Sequence, residues 1–149
     1  MPSIIDLYKA IMNISHIEHI GIAVKSIESH LSYYETVLGL KCYNIEEVEE
    51  QKVKTAFFKV GQTKIELLEP IGKDSTIARF IEKNGEGVHH IAFAVPSVQV
   101  ALDEVESKGV QLIDKAPRDG AEGLQIAFLH PKSTGGVLTE LCMMGEFKI

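Results

Sequence analysis

GVHHIAFAV, residues 87–95, decides the fold, because a related stretch, IEHIGIAV, already stands at 17–24. Setting His19 on His90, an offset of 71 residues, also pairs Ile20 with Ile91, Ala23 with Ala94, Val24 with Val95, Ser26 with Ser97, Leu31 with Leu102 and Glu35 with Glu106. Carried downstream with a slightly longer loop, the same register lays KIELL at 64–68 on LTELC at 138–142, so that Glu66 meets Glu140. Self-similarity of this kind means one supersecondary unit written twice. Each copy carries a histidine near its start and a glutamate near its end.

Working outward, 17–24 reads as a buried strand, Ser26 as a helix N-cap, and Ile27, Leu31, Tyr34 and Leu38 as one helical face that runs to Gly39. Residues 40–48 and 53–60 alternate as strands about the charged turn 49–52, and Gly61-Gln62 turns the chain into a strand at 63–69. This half reads βαβββ. A connector, 70–87, holds a short helix that starts near Asp74 or Ser75, directs Ile77, Phe80 and Ile81 inward, and ends at Asn84-Gly85. The second half repeats the order. It has a strand at 88–95, Ser97 as cap, a helix at 98–108 with Val98, Leu102 and Val105 inward, Gly109 as stop, and strands at 110–115, 124–129 and 137–143. The expected organisation is an extension over 1–15, a single domain over 16–143 (module 16–70, linker 71–86, module 87–143) and a tail over 144–149. Within the extension Ile4, Leu7, Tyr8 and Ile11 form an amphipathic stripe.

Composition bounds the function. The chain of 149 residues is 45% apolar and 24% charged, ordinary for a globular domain. A net charge of -6 with pI near 5.5 disfavours nucleic acid and anionic membrane as partners, since both need clustered Lys and Arg. Two cysteines are too few for a disulfide framework, no run approaches the ~20 apolar residues that span a bilayer, and no secretory leader is read. A cytoplasmic protein is expected.

Strand side chains alternate faces, so His19, Gly21 and Ala23 share one face and Ile20, Ile22 and Val24 the other. Likewise His90, Ala92 and Ala94 oppose Ile91, Phe93 and Val95. The bulky faces are expected under the two helices, which leaves each histidine among glycine and alanine, where space remains for a ligand. An ionised carboxylate in an apolar strand is costly unless paired, hydrogen-bonded or metal-bound. Two at equivalent positions, beside two imidazoles, make an N2O2 donor set for a divalent cation: His19, Glu66, His90 and Glu140. The fold class expected is therefore α+β, two tandem βαβββ modules forming a curled mixed sheet around a central metal cavity. His89 falls on the bulky face and reads as a packed structural histidine. His130 orients a turn, His16 and His30 read as solvated, Cys42 and Cys142 as small core residues, and the acidic run over 46–50 as a solvated hairpin.

These residues resemble the vicinal oxygen chelate superfamily, whose members duplicate a βαβββ module and bind a divalent metal. Within it the chain is similar to the methylmalonyl-CoA epimerase family. The specific stretches are KIELLEP at 64–70, DSTIARFIEKNGEGVHHIAF at 74–93 and FLHPKSTGGVLTEL at 128–141. The resemblance implies the same four metal ligands, with Co2+ the expected ion and Ni2+, Mn2+ or Zn2+ as alternatives. It also implies interconversion of (R)- and (S)-methylmalonyl-CoA by C2 proton abstraction, with Glu140 as one acid/base group. The family's second glutamate would fall at Thr55, so Glu49, Glu50 or a water is left for that role. Coenzyme A phosphates would meet Lys132, Ser133 or Arg118, and a homodimer is implied. The alternatives are a lactoylglutathione lyase with the same ligands, which the loops 130–136 and 74–87 disfavour, and a non-catalytic small-molecule-binding protein of the same fold.

Overall fold

A computed structural model describes residues 12–144; the stripe of Ile4, Leu7, Tyr8 and Ile11 and, apart from Met144, the tail expected over 144–149 lie outside them. The chain is mixed α+β. Its packing divides into two units inside one strand, between Ile91 and Ala92, whereas the sequence repeat begins its second copy five residues earlier, at Gly87.

The unit of residues 17–91 contains β1 (His16–Ala23), a helix α1 that begins at Glu28–Leu31, β2 (Cys42–Val48), β3 (Val53–Val60), β4 (Thr63–Pro70), helix α2 (Thr76–Asn84) and the start of β5 (Gly87–Ala94). Its strands lie in the order β2-β3-β4-β1-β5. β1 runs parallel to β4, with Gly21 opposite Glu66, and β3 is antiparallel to both β2 and β4. Val24, Ile27, Ala56, Phe58 and Leu67 form a core that Ile22, Leu31 and Tyr34 close, which puts the bulky face of β1 under α1 as expected. Ser75 caps α2 by accepting from the Ala78 amide at 3.0 Å, and Ile77 with Phe80 and Ile81 packs on Ala23, Val53 and Leu68.

Two readings change here. The first helix is a single α-turn that widens into π-helical turns over Ser32–Val37 and ends where the Leu40 amide bonds the Tyr34 carbonyl. Ser26 gives it only a long 3.4 Å bond to the Ser29 amide. His30 is half-exposed and also bonded: its Nδ1 donates to the Ser26 carbonyl at 2.8 Å and its Nε2 lies 3.3 Å from Glu86.

The other unit takes residues from Ala92 onward, together with the segment before 17. It holds the end of β5, helix α3 (Val98–Ser107), β6 (Arg118–Asp119), β7 (Leu124–Leu129) and β8 (Thr139–Met144), with β8 between β5 and β7. Ser97 caps α3 through the Val100 amide, and Val98, Ala101, Leu102 and Val105 pack on Val95, Ala127, Leu129 and Leu141. The strand expected at 110–115 does not form. That segment runs beside β7 with one bridge, Leu112 to Leu129, the Ile113 and Asp114 amides both donating to the Phe128 carbonyl and the His130 amide to the Gln111 carbonyl, while the Asp114 carboxylate accepts the Phe128 amide at 2.9 Å in place of a backbone carbonyl. The strand pairing shifts to Arg118 opposite Ile126 and Asp119 opposite Gln125. Among the described residues no helix is long and apolar enough to cross a membrane.

Candidate metal centre

Three strands of the 17–91 unit bring three of the four expected ligands together. His19 on β1, Glu66 on β4 and His90 on β5 are all about 4–5% exposed. Register places His19 beside Lys64 and Gly21 beside Glu66, so His19 and Glu66 share a sheet face. The Nε2 atoms of His19 and His90 face each other at 3.0 Å with their rings edge to face, and His19 Nδ1 lies 2.9 Å from a Glu66 oxygen. Gly21 makes the room: a Cβ built there would stand 2.2 Å from His90 Cε1. The small residue between the two histidines in the repeat therefore has a steric cause.

Tautomers decide what this pair can hold. His19 Nδ1 faces Glu18 Oε1 and a Glu66 oxygen, each at 2.9 Å; carboxylates can only accept, so a neutral His19 carries its proton on Nδ1 and has none on Nε2. His90 is held well below the ordinary imidazole pKa, first by burial and then by the charges of His19 and His89, so it is neutral. Its Nδ1 lies 2.9 Å from His89 Nδ1. If His90 donates to His89, two lone pairs meet at 3.0 Å, an arrangement that a cation stabilises and that is repulsive without one. Buried neutral imidazoles with a buried carboxylate fit a divalent ion, as the donor chemistry requires.

Glu140, the fourth expected ligand, lies on β8 in the other unit, 4% exposed and opposite Phe128 of β7. His89 is packed as read, edge to face on Phe80, and burial pushes its pKa down to about 4. His130 caps the turn at Pro131–Ser133 by accepting the Lys132 amide. Arg118 bonds Asp114 at 3.1 Å and lies over the Phe128 ring. Cys142 is buried and Cys42 partly so.

The sequence reading missed Glu18 and Lys64, since alternation alone put Glu18 away from its neighbour His19. Lys64 Nζ meets Glu18 Oε1 at 2.8 Å with only about a tenth of its side chain exposed. Burial works to raise the Glu18 pKa, but hydrogen bonds from His19 and Lys64 and the Lys64 charge outweigh it and the pKa falls. A lysine buried beside a ligand strand was the available signal. Thr55 is 1% exposed, and its cross-strand partner is Glu46, half-buried on the sheet face that carries Phe57 and Glu66. Glu49 and Glu50 instead sit exposed in a tight turn that closes at left-handed Lys52.

The profile of the Glyoxalase/Bleomycin resistance protein/Dioxygenase superfamily matches residues 18–128, and the chain belongs to that superfamily. A Bacillus subtilis protein of uncharacterised function, YqjC, is 51% identical over 86% of this chain and 91% of its own length. Human mitochondrial methylmalonyl-CoA epimerase is 36% identical over 89% of this chain and 76% of its own. A solved structure of methylmalonyl-CoA epimerase in complex with methylmalonyl-CoA and NH4+ superposes with TM-score 0.85 at 38% identity, covering 89% of this chain and 96% of that one. Within the superfamily the chain falls in the methylmalonyl-CoA epimerase family, whose members are isomerases acting on a CoA thioester.

Proposed function

We propose that this chain interconverts (R)- and (S)-methylmalonyl-CoA, with His19, Glu66, His90 and Glu140 holding a divalent cation, Co2+ first among the candidates. The observation that carries the reading is the buried His19, Glu66 and His90 cluster in a chain so similar to methylmalonyl-CoA epimerases. The repeat supports Glu140 as fourth ligand, because it is the counterpart of Glu66 and equally buried.

C2 of methylmalonyl-CoA lies between a thioester and a carboxylate, so removal of its proton leaves an enolate. When bound, the cation supplies positive charge beside the oxygens on which that negative charge gathers. Glu140 takes or returns the proton on one face of C2. The opposite face needs a second acid/base group. Glu46 is proposed for it in preference to Glu49 or Glu50, since strand register sets Glu46 on the Glu66 face while the other two stand in the turn. Lys132 and Arg118 are the proposed contacts for the coenzyme A phosphates, and a homodimer is the proposed assembly.

Proton NMR of the Co-loaded protein with (R,S)-methylmalonyl-CoA in heavy water tests this. The expected result is loss of the C2 proton with the thioester intact. Formation of S-lactoylglutathione from methylglyoxal and glutathione, with no C2 exchange, would establish the lyase instead. Glu140→Gln and Glu46→Gln should each block exchange of one enantiomer more than the other. Full activity in both variants would remove them from acid/base roles.

A further inference from the structure

We infer that Glu18, anchored by Lys64, is a positioning residue that sets the tautomer and the aim of the His19 imidazole toward the cation. The inference rests on His19 being a metal ligand as proposed above. Four contacts bear on it. His19 Nδ1 lies 2.9 Å from Glu18 Oε1 and equally 2.9 Å from an oxygen of Glu66, which as a ligand is committed to the cation, so Glu18 is the partner left to hold Nδ1; Lys64 Nζ lies 2.8 Å from that same Glu18 oxygen, and His19 Nε2, the other ring nitrogen, faces His90. A carboxylate accepting at Nδ1 keeps the proton there and leaves the Nε2 lone pair for the cation; such outer partners orient a ligand ring and raise its basicity.

Lys64 explains how this partly buried carboxylate is held in place. β1 and β4 set His19 directly beside Lys64 in parallel register, so Lys64 reaches across to the residue preceding the ligand. Its ammonium lies 5.8 Å from the centre of the Phe57 ring, which borders the pair on the third strand. Like Glu66, Lys64 is thus placed by β4, and the strand serves the centre twice: once with a ligand and once with the anchor of the group that orients another ligand.

The test is Co2+ affinity by equilibrium dialysis, together with long-range 1H–15N NMR of the metal-free wild type to read which His19 nitrogen carries a proton. Glu18→Ala should weaken Co2+ binding by about tenfold or more. Glu18→Gln, whose amide oxygen can still accept from Nδ1, should recover most of the loss. Glu18→Ala with Lys64→Met provides a folded background should the single variant leave Lys64 buried without its partner. NMR should find the proton on Nδ1. A bare Nδ1, or Co2+ affinity within twofold of wild type in both alanine variants, overturns the inference while leaving His19 as a ligand. A wild type that takes up no Co2+ overturns the metal reading and this inference with it.

Discussion

Gly21→Ala isolates the steric logic of the proposed metal centre. The added Cβ would lie 2.2 Å from His90 Cε1, 2.5 Å from Nδ1 and 2.8 Å from Nε2, where 3.4 Å is the near limit of ordinary contact. The imidazole must therefore retreat by about 1.2 Å, several times the ~0.2 Å tolerance of a metal–ligand distance. Overpacking of a filled interior costs about 1–3 kcal/mol, against which the lower unfolded-state entropy of alanine returns about 0.4–1 kcal/mol. A net loss of about 1–2 kcal/mol corresponds to a Tm lowered by about 2–8 °C in a chain of this size. Calorimetry of the metal-free protein measures it, and cobalt uptake should fall by more than the small stability change explains. The decisive arm is His90→Ala, which empties the space the Cβ would enter. In that background Gly21→Ala should be neutral or slightly stabilising, a coupling that a double-mutant cycle reads directly. Equal destabilisation with and without the His90 ring would refute the argument that Gly21 exists to admit it.

Co2+ at a hundredfold excess over its Kd should raise stability by about 2.7 kcal/mol, EDTA should remove the gain, and His19→Ala should abolish it; thermal shift follows all three. Asp114→Ala orphans the Phe128 amide and should cost about 1–3 kcal/mol in urea unfolding, with Asp114→Asn losing less. Ser75→Ala and Ser97→Ala should each cost about 1 kcal/mol, since both accept a helix amide at 3.0–3.2 Å. Ser26→Ala, whose bond is 3.4 Å long, should cost much less by the same measurement.

The duplication and the alternation of faces were legible because strand periodicity is local: IEHIGIAV and GVHHIAFAV state which residues share a face without reference to any other strand. Ser75 and Ser97 were legible as caps for the same reason. The segment 110–115 was misread because its apolar pattern does not say whether backbone pairing runs regularly: it lies along β7, but the Ile113 and Asp114 amides share the Phe128 carbonyl and the Asp114 side chain takes the Phe128 amide, which breaks the ladder. The first helix was misread because periodicity of 3.6 hardly differs over two turns from the wider π-helical spacing.

By itself, then, the sequence carried the two copies and put forward His19, Glu66, His90 and Glu140 as a proposed donor set with the chemistry those donor types suit. Tertiary structure alone decided that Gly21 stands against the His90 ring, that Glu46 rather than Glu49 or Glu50 shares the Glu66 face, and that Glu18 and Lys64 close on His19. The physical reason is register: which residue of one strand lies beside which residue of the next is fixed by hydrogen bonds between segments distant in sequence, and no single strand's pattern contains it.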